Sequence, residues 1–301
     1  MSEIAVGKRV IKTSNEDRVV YPRDGIVKGE VIDYYRRIAP YMIPHVRKRR
    51  LTMQRFQPNI DADPVFQKDM PGHFPEWIPR IEVPKHGGTV THVVCDNAET
   101  LVYLANQGCL TPHVGLQKVD KNEHPDQMIF DLDPPSDDFD CVRDVAFKTR
   151  ELLTELALVP FLKTTGSRGL HLVVALDRKL EFEEVRSIAY AIAMEMVRRY
   201  PDLVTTEMLK KNRGSKLFLD VNRNGTAQTA VPAFALRAID GAPVAMPITW
   251  EELENPKLNS RSFNIRNAIR RMEDIEDPWN GYSKSARSLR AAAKRLPRVA
   301  A

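Results

Sequence analysis

The chain contains little cysteine, and the cysteines it has are not arranged for disulfides or for zinc. Its 301 residues include only Cys95, Cys109 and Cys141, and no Cys-x-x-Cys pair. An odd number of widely spaced cysteines argues against a disulfide framework and offers no zinc motif. The sequence has no long apolar run, and its amino terminus is polar and charged. We therefore expect no signal peptide, no membrane partner and a reduced, intracellular environment.

Charge of one sign is not in large excess either. The 45 Lys and Arg residues against 40 Asp and Glu residues give a net charge of +5, which alone does not indicate a polyanionic partner. The basic residues are nevertheless clustered, at 47–50, 210–213 and 287–295. Such runs are typical of solvated surfaces. Beside an acidic metal site, however, they are better interpreted as phosphate contacts.

Two aspartates lie on one short apolar segment, Met128–Pro134, as Asp131 and Asp133, and a third, Asp220, lies in a second apolar segment. Side chains alternate faces along a strand, so Asp131 and Asp133 share a face. Carboxylates on an apolar strand repel each other unless a cation lies between them, and their oxygens suit Mg²⁺ or Mn²⁺. The alternative is a strand that ends in a turn with solvated carboxylates.

The hydrophobic pattern predicts six consecutive elements in the middle of the chain. They are a strand at 128–133, a helix at about 140–157, strands at 160–164 and 170–176, a helix at about 183–199 and a strand at 216–221. This β-α-β-β-α-β order is typical of the ferredoxin-like or RRM-like arrangement. In that arrangement the first strand lies between the third and the fourth, so the three aspartates and His171 should converge on the open face of the sheet.

The remaining sequence predicts one domain with three parts. Before the core, the pattern predicts a helix at 28–46, a hairpin over 80–94 and a helix from Ala98. We therefore expect a single domain over 1–301. Its parts are an N-terminal α/β part at about 1–127, a catalytic core at about 128–240 and a helical, basic C-terminal segment at about 241–301.

The loop before His171 is a candidate triphosphate-binding loop. Its two glycines allow close approach of the backbone, and Thr165, Ser167, Arg168 and His171 offer hydroxyl and cationic donors. A lone Gly-x-x-Gly is weak evidence, but the same loop beside an acidic pair is stronger. Three carboxylates that hold two divalent ions form the clamp used in phosphoryl and nucleotidyl transfer.

These motifs resemble those of a known family. Asp131-Leu-Asp133, the loop at 165–171 and Asp220 resemble the three motifs of the archaeo-eukaryotic primase superfamily. More closely, the chain is similar to the polymerase domain of the bacterial end-joining ligases known as ligase D, including around Arg18–Pro22 and Thr111–His113. The resemblance implies an α+β fold in which an RRM/ferredoxin-like βαββαβ catalytic core is packed with an additional N-terminal α/β subdomain.

The resemblance also implies an activity. It implies a template-directed nucleotidyltransferase, a primase-polymerase that fills gaps and extends DNA ends in non-homologous end joining. Such an enzyme prefers ribonucleotides and uses two Mn²⁺ or Mg²⁺ ions. The implied partners are gapped or 3′-overhang DNA with a 5′-phosphate, NTPs and dNTPs, a Ku-type end-binding protein and a DNA ligase. The implied location is the cytoplasm, at the nucleoid.

By resemblance, the site residues fall into three sets. The catalytic metal ligands are Asp131, Asp133 and Asp220. The nucleotide-binding residues are His113, Thr165, Ser167, Arg168, His171, Arg237, Arg55 and Phe66. The DNA-binding residues are Arg18, Lys28, Lys68, Lys85, His86, Arg213 and Lys216. Within the last set, Arg18 and Lys28 would grip a downstream 5′-phosphate, and the hairpin near Lys85 and His86 would help to bring two DNA ends together.

Four positions depart from the pattern of this family. Val65-Phe66 stands where a Phe-Phe pair is common, so one stacking platform is missing. Gln54-Arg55 replaces a Lys-Arg pair, which removes one cation near the phosphates. Thr165 replaces a serine, and Arg18 replaces a lysine, where arginine should hold a phosphate at least as well.

Other functions use parts of the same pattern. A metal-dependent phosphoesterase or nuclease would use the carboxylates but needs no triphosphate loop. An RRM-like reader would carry aromatic residues on its sheet rather than acids. A glycosyltransferase with Asp-x-Asp would not explain Asp220. A catalytically weak DNA end-bridging protein remains an alternative, although all three aspartates are present.

Overall fold

The described residues, 2–296 of a computed structural model, divide into two compact units. Each unit is built from segments that are separated in the sequence. The first unit contains the described residues up to Asp120 with Thr229–Met246 and Phe263–Glu276. The second contains Lys121–Gln228, Pro247–Ser262 and the described residues from Asp277 onward. The end of the predicted C-terminal segment, 297–301, lies outside the described residues. The predicted single domain with three parts stays a prediction.

The structure has a mixed α/β fold. Its strands are β1 (Ser2–Val6), β2 (Arg9–Thr13), β3 (Val19–Tyr21), β4 (Ile26–Val27), β5 (Arg50–Arg55), β6 (Val65–Gln67), β7 (Arg80–Lys85), β8 (Gly88–Val94), β9 (Cys109–Gly115), β10 (Gln127–Asp133), β11 (Pro160–Thr164), β12 (Leu170–Ala175), β13 (Val204–Thr205), β14 (Leu217–Asp220), β15 (Thr229–Ala230) and β16 (Pro247–Ile248). Its α-helices are α1 (Lys28–Val46), α2 (Ala98–Asn106), α3 (Phe139–Glu155), α4 (Phe182–Arg199), α5 (Trp250–Glu254), α6 (Ala268–Asp274) and α7 (Leu289–Ala293). None of these helices combines the length and the apolar character needed to cross a lipid bilayer.

The first unit is built on a sheet with the strand order β15-β9-β5-β8-β7, in which β6 also pairs with β5. Helix α1 buries the apolar face that the sequence predicts, made of Val31, Ile32, Tyr35, Ile38, Ala39 and Met42. Two tyrosines of α1 bury their rings, and their hydroxyl groups donate hydrogen bonds to backbone carbonyls. Tyr34 donates to Phe234 at 2.8 Å, and Tyr35 donates to Leu110 at 2.6 Å. These bonds satisfy polar groups that burial would otherwise leave without partners.

The second unit is built on a sheet with the strand order β13-β14-β10-β12-β11-β16. Strand β10 is central and runs antiparallel to both β12 and β14. Phe130 and Leu132 of β10 are fully buried, on the face opposite to the aspartates. Helices α3 and α4 both contact β10. The apolar face of β10 therefore forms the core, and Asp131 and Asp133 lie on its other face.

The sequence located these core elements to within a few residues. The helices predicted at 140–157 and 183–199 are observed as α3 and α4, and the predicted hairpin is observed as β7 and β8. The N-terminal hairpin of β1 and β2 and the sheet strands β5 and β9 were not predicted. The segment after residue 240 contains the short helices α5, α6 and α7, but it also contains β16, which forms an edge strand of the second sheet.

A buried carboxylate, Glu195, is part of a network of charged side chains that links α4 to α3. It accepts hydrogen bonds from Arg198 and Arg199, and Arg199 also pairs with Glu155 of α3 at 2.7 Å. The hydrogen bond from Arg198 is the main cause that lowers the pKa of Glu195 to about 2. Since the unfolded pKa of a glutamate is near 4.3, the charged network stabilises the fold above about pH 4. That stability is lost as the pH falls toward 2.

We predict that Glu195→Gln lowers the free energy of unfolding at pH 7 by about 1 kcal/mol. The loss is small because the Arg198 side chain is 67% exposed and its charge is screened by solvent. The difference between wild type and variant should shrink when the pH is lowered from 6 to 3. Chemical denaturation at several pH values measures it, with Glu151→Gln, an exposed carboxylate of α3, as the control. A difference that does not change with pH would contradict the prediction.

Candidate active site

Strands β10 and β14 bring the three aspartates together on one face of the second sheet. Asp131 lies directly opposite Asp220 in the antiparallel register, and Asp133 follows two residues later on the face of Asp131. One carboxylate oxygen from each of the three lies within 4.8 Å of the others. Oxygens that share a cation are separated by at most about twice a metal–oxygen distance, so this spacing suits a divalent cation. The predicted convergence is observed, while the roles of the three residues stay predictions.

Asp131 is buried, with 7% of its surface exposed. Its Oδ2 atom lies 3.3 Å from Nε2 of His171 and 4.0 Å from Nε of Arg223. Its Oδ1 atom is buried and has no hydrogen-bond partner among the described residues. A solvated carboxylate at a strand end, the alternative left open by the sequence, is therefore wrong for Asp131. A buried carboxylate oxygen without a donor is a natural ligand atom for a cation.

The electrostatics of the cluster also favour a bound cation. Burial, together with the charges of Asp131 and Asp220, raises the pKa of Asp133 to about 6, although Arg168 and Arg213 act in the opposite direction. Burial also pushes the pKa of Asp131 upward, but His171, Arg223 and Lys163 together outweigh it and hold that pKa below its usual value. A divalent cation between the carboxylates would remove the repulsion that raises the pKa of Asp133. The all-oxygen donor set fits Mg²⁺ or Mn²⁺.

The loop between β11 and β12 is held in shape by Thr165. This side chain is buried, and its hydroxyl contacts the backbone N–H of Ser167 and of Gly169, each at 3.2 Å. It also lies 3.3 Å from the hydroxyl of Ser260. These bonds use the hydroxyl inside the protein, where it orients the loop. Gly166 has a φ of +64°, which favours glycine at that position.

Gly169 is required by the close approach of this loop to β10. A Cβ atom at that position would overlap the backbone carbonyl oxygen of Leu132, which lies between the two aspartates of β10. The loop therefore lies against the strand that carries the acidic pair. Of its polar side chains, Ser167 is half-buried and Arg168 is exposed. Arg168 is close enough to lower the pKa of Asp133.

His171 is not exposed to solvent. It pairs with Asp131 in the register of β10 and β12, and only 5% of its surface is exposed. Burial and the neighbouring Lys163 lower the pKa of His171. Its Nε2 atom contacts Asp131, and its Nδ1 atom is buried without a hydrogen-bond partner among the described residues. His171 therefore orients Asp131, and its predicted contact with a nucleotide is not tested.

The basic residues before β14 are fixed by local contacts. Arg213 donates to the backbone carbonyls of Glu207 and Met208, both at 2.8 Å. Its guanidinium lies 3.7 Å from the ring centroid of Phe218. Arg213 also lowers the pKa of Asp133, because its positive charge favours the ionised carboxylate. Lys216 is half-buried, and the predicted DNA contacts of both cations stay predictions.

Three functional candidates after Asp220 were missed by the sequence analysis. A single 3₁₀ turn, Asn222–Asn224, follows β14. The side chain and backbone N–H of Asn222 both donate to Oδ1 of Asp220, at 2.6 and 2.8 Å. Arg223 lies beside Asp131, and Asn224 is fully buried. A signal was present in the sequence, because two asparagines so close to a candidate ligand are typical of turns that bond to neighbouring groups.

In the first unit, His113 and Phe66 are neighbours. Their ring centroids are 5.6 Å apart in an edge-to-face arrangement, and Nε2 of His113 lies 3.3 Å from Oε1 of Gln54. Phe66 is 56% exposed on β6. Arg55 donates to Gln67 at 2.6 Å. An exposed aromatic ring beside polar groups can stack a base.

The first unit also contains a close pair of cations. The backbone N–H of Lys28 donates to the carbonyl of Arg18 at 2.8 Å, and Nζ of Lys28 donates to the carbonyl of Ser14 at 2.6 Å. Burial, followed by the charge of Arg18, lowers the pKa of Lys28 to about 8. The Nε atom of Arg18 is buried and has no hydrogen-bond partner among the described residues. Two cations that repel each other and retain an unused donor form a candidate anion site.

The other predicted contacts of the first unit are more dispersed. Lys68, Lys85 and His86 are exposed, the last two at the end of the β7–β8 hairpin. Arg237 is half-buried, and its carbonyl accepts a hydrogen bond from the hydroxyl of Tyr21 at 3.1 Å. The predicted DNA contacts of Lys68, Lys85 and His86 and the predicted nucleotide contact of Arg237 stay predictions.

The geometry agrees with what comparison with known proteins finds. The family model described as "LigD, primase-polymerase domain" matches residues 27–279. The chain belongs to this family. The resemblance seen in the motifs is confirmed, and the mixed α/β fold agrees with the LigD polymerase domain.

Relatives and a solved structure of the LigD family are similar over nearly the whole chain. The multifunctional non-homologous end joining protein LigD of Mycolicibacterium smegmatis is 32% identical over 94% of this chain. The bifunctional LigD of Bacillus subtilis is 29% identical over 89% of it. The chain covers only 39% and 43% of the lengths of these two relatives. The polymerase domain of Mycobacterium tuberculosis ligase D, solved in complex with DNA, aligns with a TM-score of 0.85 and 30% identity, over 92% of this chain and 99% of that one.

We predict that Gly169→Ala lowers the free energy of unfolding by about 1–3 kcal/mol, because the loop must move away from the Leu132 carbonyl. Urea denaturation measures the loss. The matched control is Gly72→Ala, since a Cβ atom at Gly72 would meet no atom within 4 Å. The control should change the stability by less than about 0.5 kcal/mol. Equal stability of both variants would show that the loop does not depend on this contact.

Proposed function

We propose that this chain is a DNA-dependent nucleotidyltransferase that fills gaps and extends DNA ends in non-homologous end joining. The observation that carries the proposal is the cluster of Asp131, Asp133 and Asp220 beside a glycine-containing loop, in a chain of the LigD primase-polymerase family. The relatives are named for end joining, and the similar solved domain was in complex with DNA. We further infer that the strand order β14-β10-β12-β11 is an RRM/ferredoxin-like arrangement.

The three aspartates would hold two divalent cations, Mn²⁺ or Mg²⁺. The unpartnered Oδ1 of Asp131 and the raised pKa of Asp133 support this assignment. When bound, such ions lower the pKa of an attacking hydroxyl and neutralise charge on the leaving phosphates. His171 keeps Asp131 oriented through the contact at 3.3 Å.

In the proposed reaction the 3′-hydroxyl of a primer releases its proton to solvent, and its oxygen forms a bond to the α-phosphorus of a nucleoside triphosphate. The bond from that phosphorus to the leaving oxygen breaks, and pyrophosphate departs. The loop at 165–169 would bind the triphosphate, with Arg168 supplying positive charge beside Asp133. We propose ribonucleotides as the preferred substrates, and a Ku-type protein and a DNA ligase as partners at the nucleoid.

Primer extension tests this proposal directly. The substrate is a one-nucleotide gap with a downstream 5′-phosphate, incubated with Mn²⁺ and either ribonucleotides or deoxyribonucleotides. We expect templated addition, faster with ribonucleotides, and a loss on the order of a thousandfold or more in Asp133→Asn, because a charged carboxylate is replaced by a neutral amide. DNA binding should be retained in the variant.

The control for this test is Asp177→Asn, an aspartate after β12 that pairs with Lys179. It should add nucleotides like the wild type. Degradation of the DNA by the wild type, instead of addition, would favour the nuclease alternative. Tight binding of the gapped DNA with no addition would favour the end-bridging alternative.

We also propose that Arg18 and Lys28 bind the downstream 5′-phosphate. Burial is the main cause that lowers the pKa of Lys28 to about 8, the charge of Arg18 adds to it and Glu16 opposes it, so a bound anion would stabilise the charged form of Lys28. The unused Nε donor of Arg18 supports the same assignment. Arginine and lysine are the side chains that proteins use for phosphate recognition.

We predict that the Arg18→Ala, Lys28→Ala double variant weakens binding to a phosphorylated gap far more than binding to the unphosphorylated gap. In the wild type, the advantage given by the phosphate should be largest at pH 7 and should fall as the pH rises through about 8, because Lys28 then loses its proton. Fluorescence anisotropy at pH 6.5 to 9.5 measures both effects. Lys28→Arg, which keeps its charge over this range, should retain the advantage. Equal losses on both substrates would reject the phosphate site.

A further inference from the structure

Strand β14 ends at Asp220, opposite Asp131, whereas its neighbour β10 extends four residues further, to Gln127. The ladder between them consists of the pairs Asp131–Asp220, Leu132–Leu219 and Asp133–Phe218. A continued antiparallel ladder would place the chain after Asp220 opposite Ile129. Instead the chain turns away as the 3₁₀ turn Asn222–Asn224. The backbone N–H and C=O of Ile129 on that side therefore lack a strand partner.

The side chain of Asn224 replaces the missing strand. Its Oδ1 accepts from the N–H of Ile129 at 2.8 Å, and its Nδ2 donates to the carbonyl of Ile129, also at 2.8 Å. The same Nδ2 donates to the carbonyl of Val221 at 2.8 Å. The side chain is fully buried, so each of these bonds satisfies a group that water does not reach. An amide is required here, because only an amide offers one acceptor and two donors.

The two residues before Asn224 face the carboxylates themselves. Asn222 donates twice to Oδ1 of Asp220, and Arg223 lies 4.0 Å from Oδ2 of Asp131. At one end of the turn, Asn222 is thus bonded to Asp220. At the other end, Asn224 is bonded to Ile129, which lies two residues before Asp131 on β10. The bond from Asn224 to Ile129 fixes where both contacts lie.

From this arrangement we infer that the Asn222–Asn224 turn positions Asp220 relative to Asp131 and so sets the affinity for divalent cations, with Asn224 as its anchor. The inference rests on the proposed function, because it assigns the cation to that site. Within the described part of the chain, the side-chain hydrogen bonds of Asn224 go to the backbone of Ile129 and Val221 rather than to the carboxylates, so it is a positioning residue. Residues that orient metal ligands typically change the affinity for the metal by about 10- to 100-fold.

The test compares Asn224→Ala with a matched buried asparagine in the first unit. Asn106 accepts from the N–H of Ser14 at 3.2 Å and donates to the carbonyl of Lys12 at 3.1 Å, and it is also buried. Free Mn²⁺ is measured by electron paramagnetic resonance during titration of each folded protein, and thermal unfolding is measured in parallel. Both variants should unfold at lower temperature.

We expect Asn224→Ala to weaken Mn²⁺ binding by about tenfold or more, and Asn106→Ala to leave it within about twofold of wild type. In primer extension, high Mn²⁺ should restore part of the rate of Asn224→Ala. A folded Asn224→Ala protein with the affinity of the wild type would overturn the inference, since a purely structural role lowers stability alone.

If Asn224→Ala does not fold, Asn222→Ala decides, because Asn222 is half-buried and its side chain donates to the side chains of Met208 and Asp220 rather than to backbone groups. It should weaken Mn²⁺ binding by about threefold, and no loss would reject the inference. The titration also separates this inference from the proposed function. A wild type that binds Mn²⁺ through Asp131 but adds no nucleotide fails only as a polymerase, whereas a wild type that binds no Mn²⁺ overturns the inference itself.

Discussion

Repulsion between three carboxylates on one face of an apolar sheet is the constraint on which the site depends. Without a cation, the cost is visible in the raised pKa of Asp133 and in the buried, unpartnered oxygen of Asp131. The surrounding residues hold the carboxylates close in spite of that cost. His171 contacts Asp131, and Asn222 donates twice to Asp220. These contacts orient the candidate ligand atoms from within the protein, as a preorganised site requires.

Much of the second unit could be predicted because its local signals agree with each other. The alternation on β10 placed Asp131 and Asp133 on one face, and the apolar stripes of α3 and α4 marked the face that is buried. With the element order, these signals were sufficient to expect that Asp220 and His171 would meet Asp131.

The rest could not be predicted, because it depends on pairings that no local pattern records. Strands β13, β15 and β16 have two residues each and exist only where a neighbouring strand is present. The nucleotide contact of Thr165 stays a prediction, and no local pattern showed that its hydroxyl would bond to the backbone of its own loop and lie against Ser260. The role of Asn224 depends on the early end of β14, since the same asparagine beside a longer strand would have no unmet backbone group to bond.

The interleaved path of the chain has a consequence for how the protein is made and divided. The first unit needs β15 for its sheet and α6 for its helical layer, and these are encoded after β14 and after β16 of the second unit, respectively. During synthesis the first unit therefore cannot be completed until the residues up to Glu276 have left the ribosome. A gene fragment that stops at Asp120 encodes only part of the first unit. No single cut in the gene separates the two units intact.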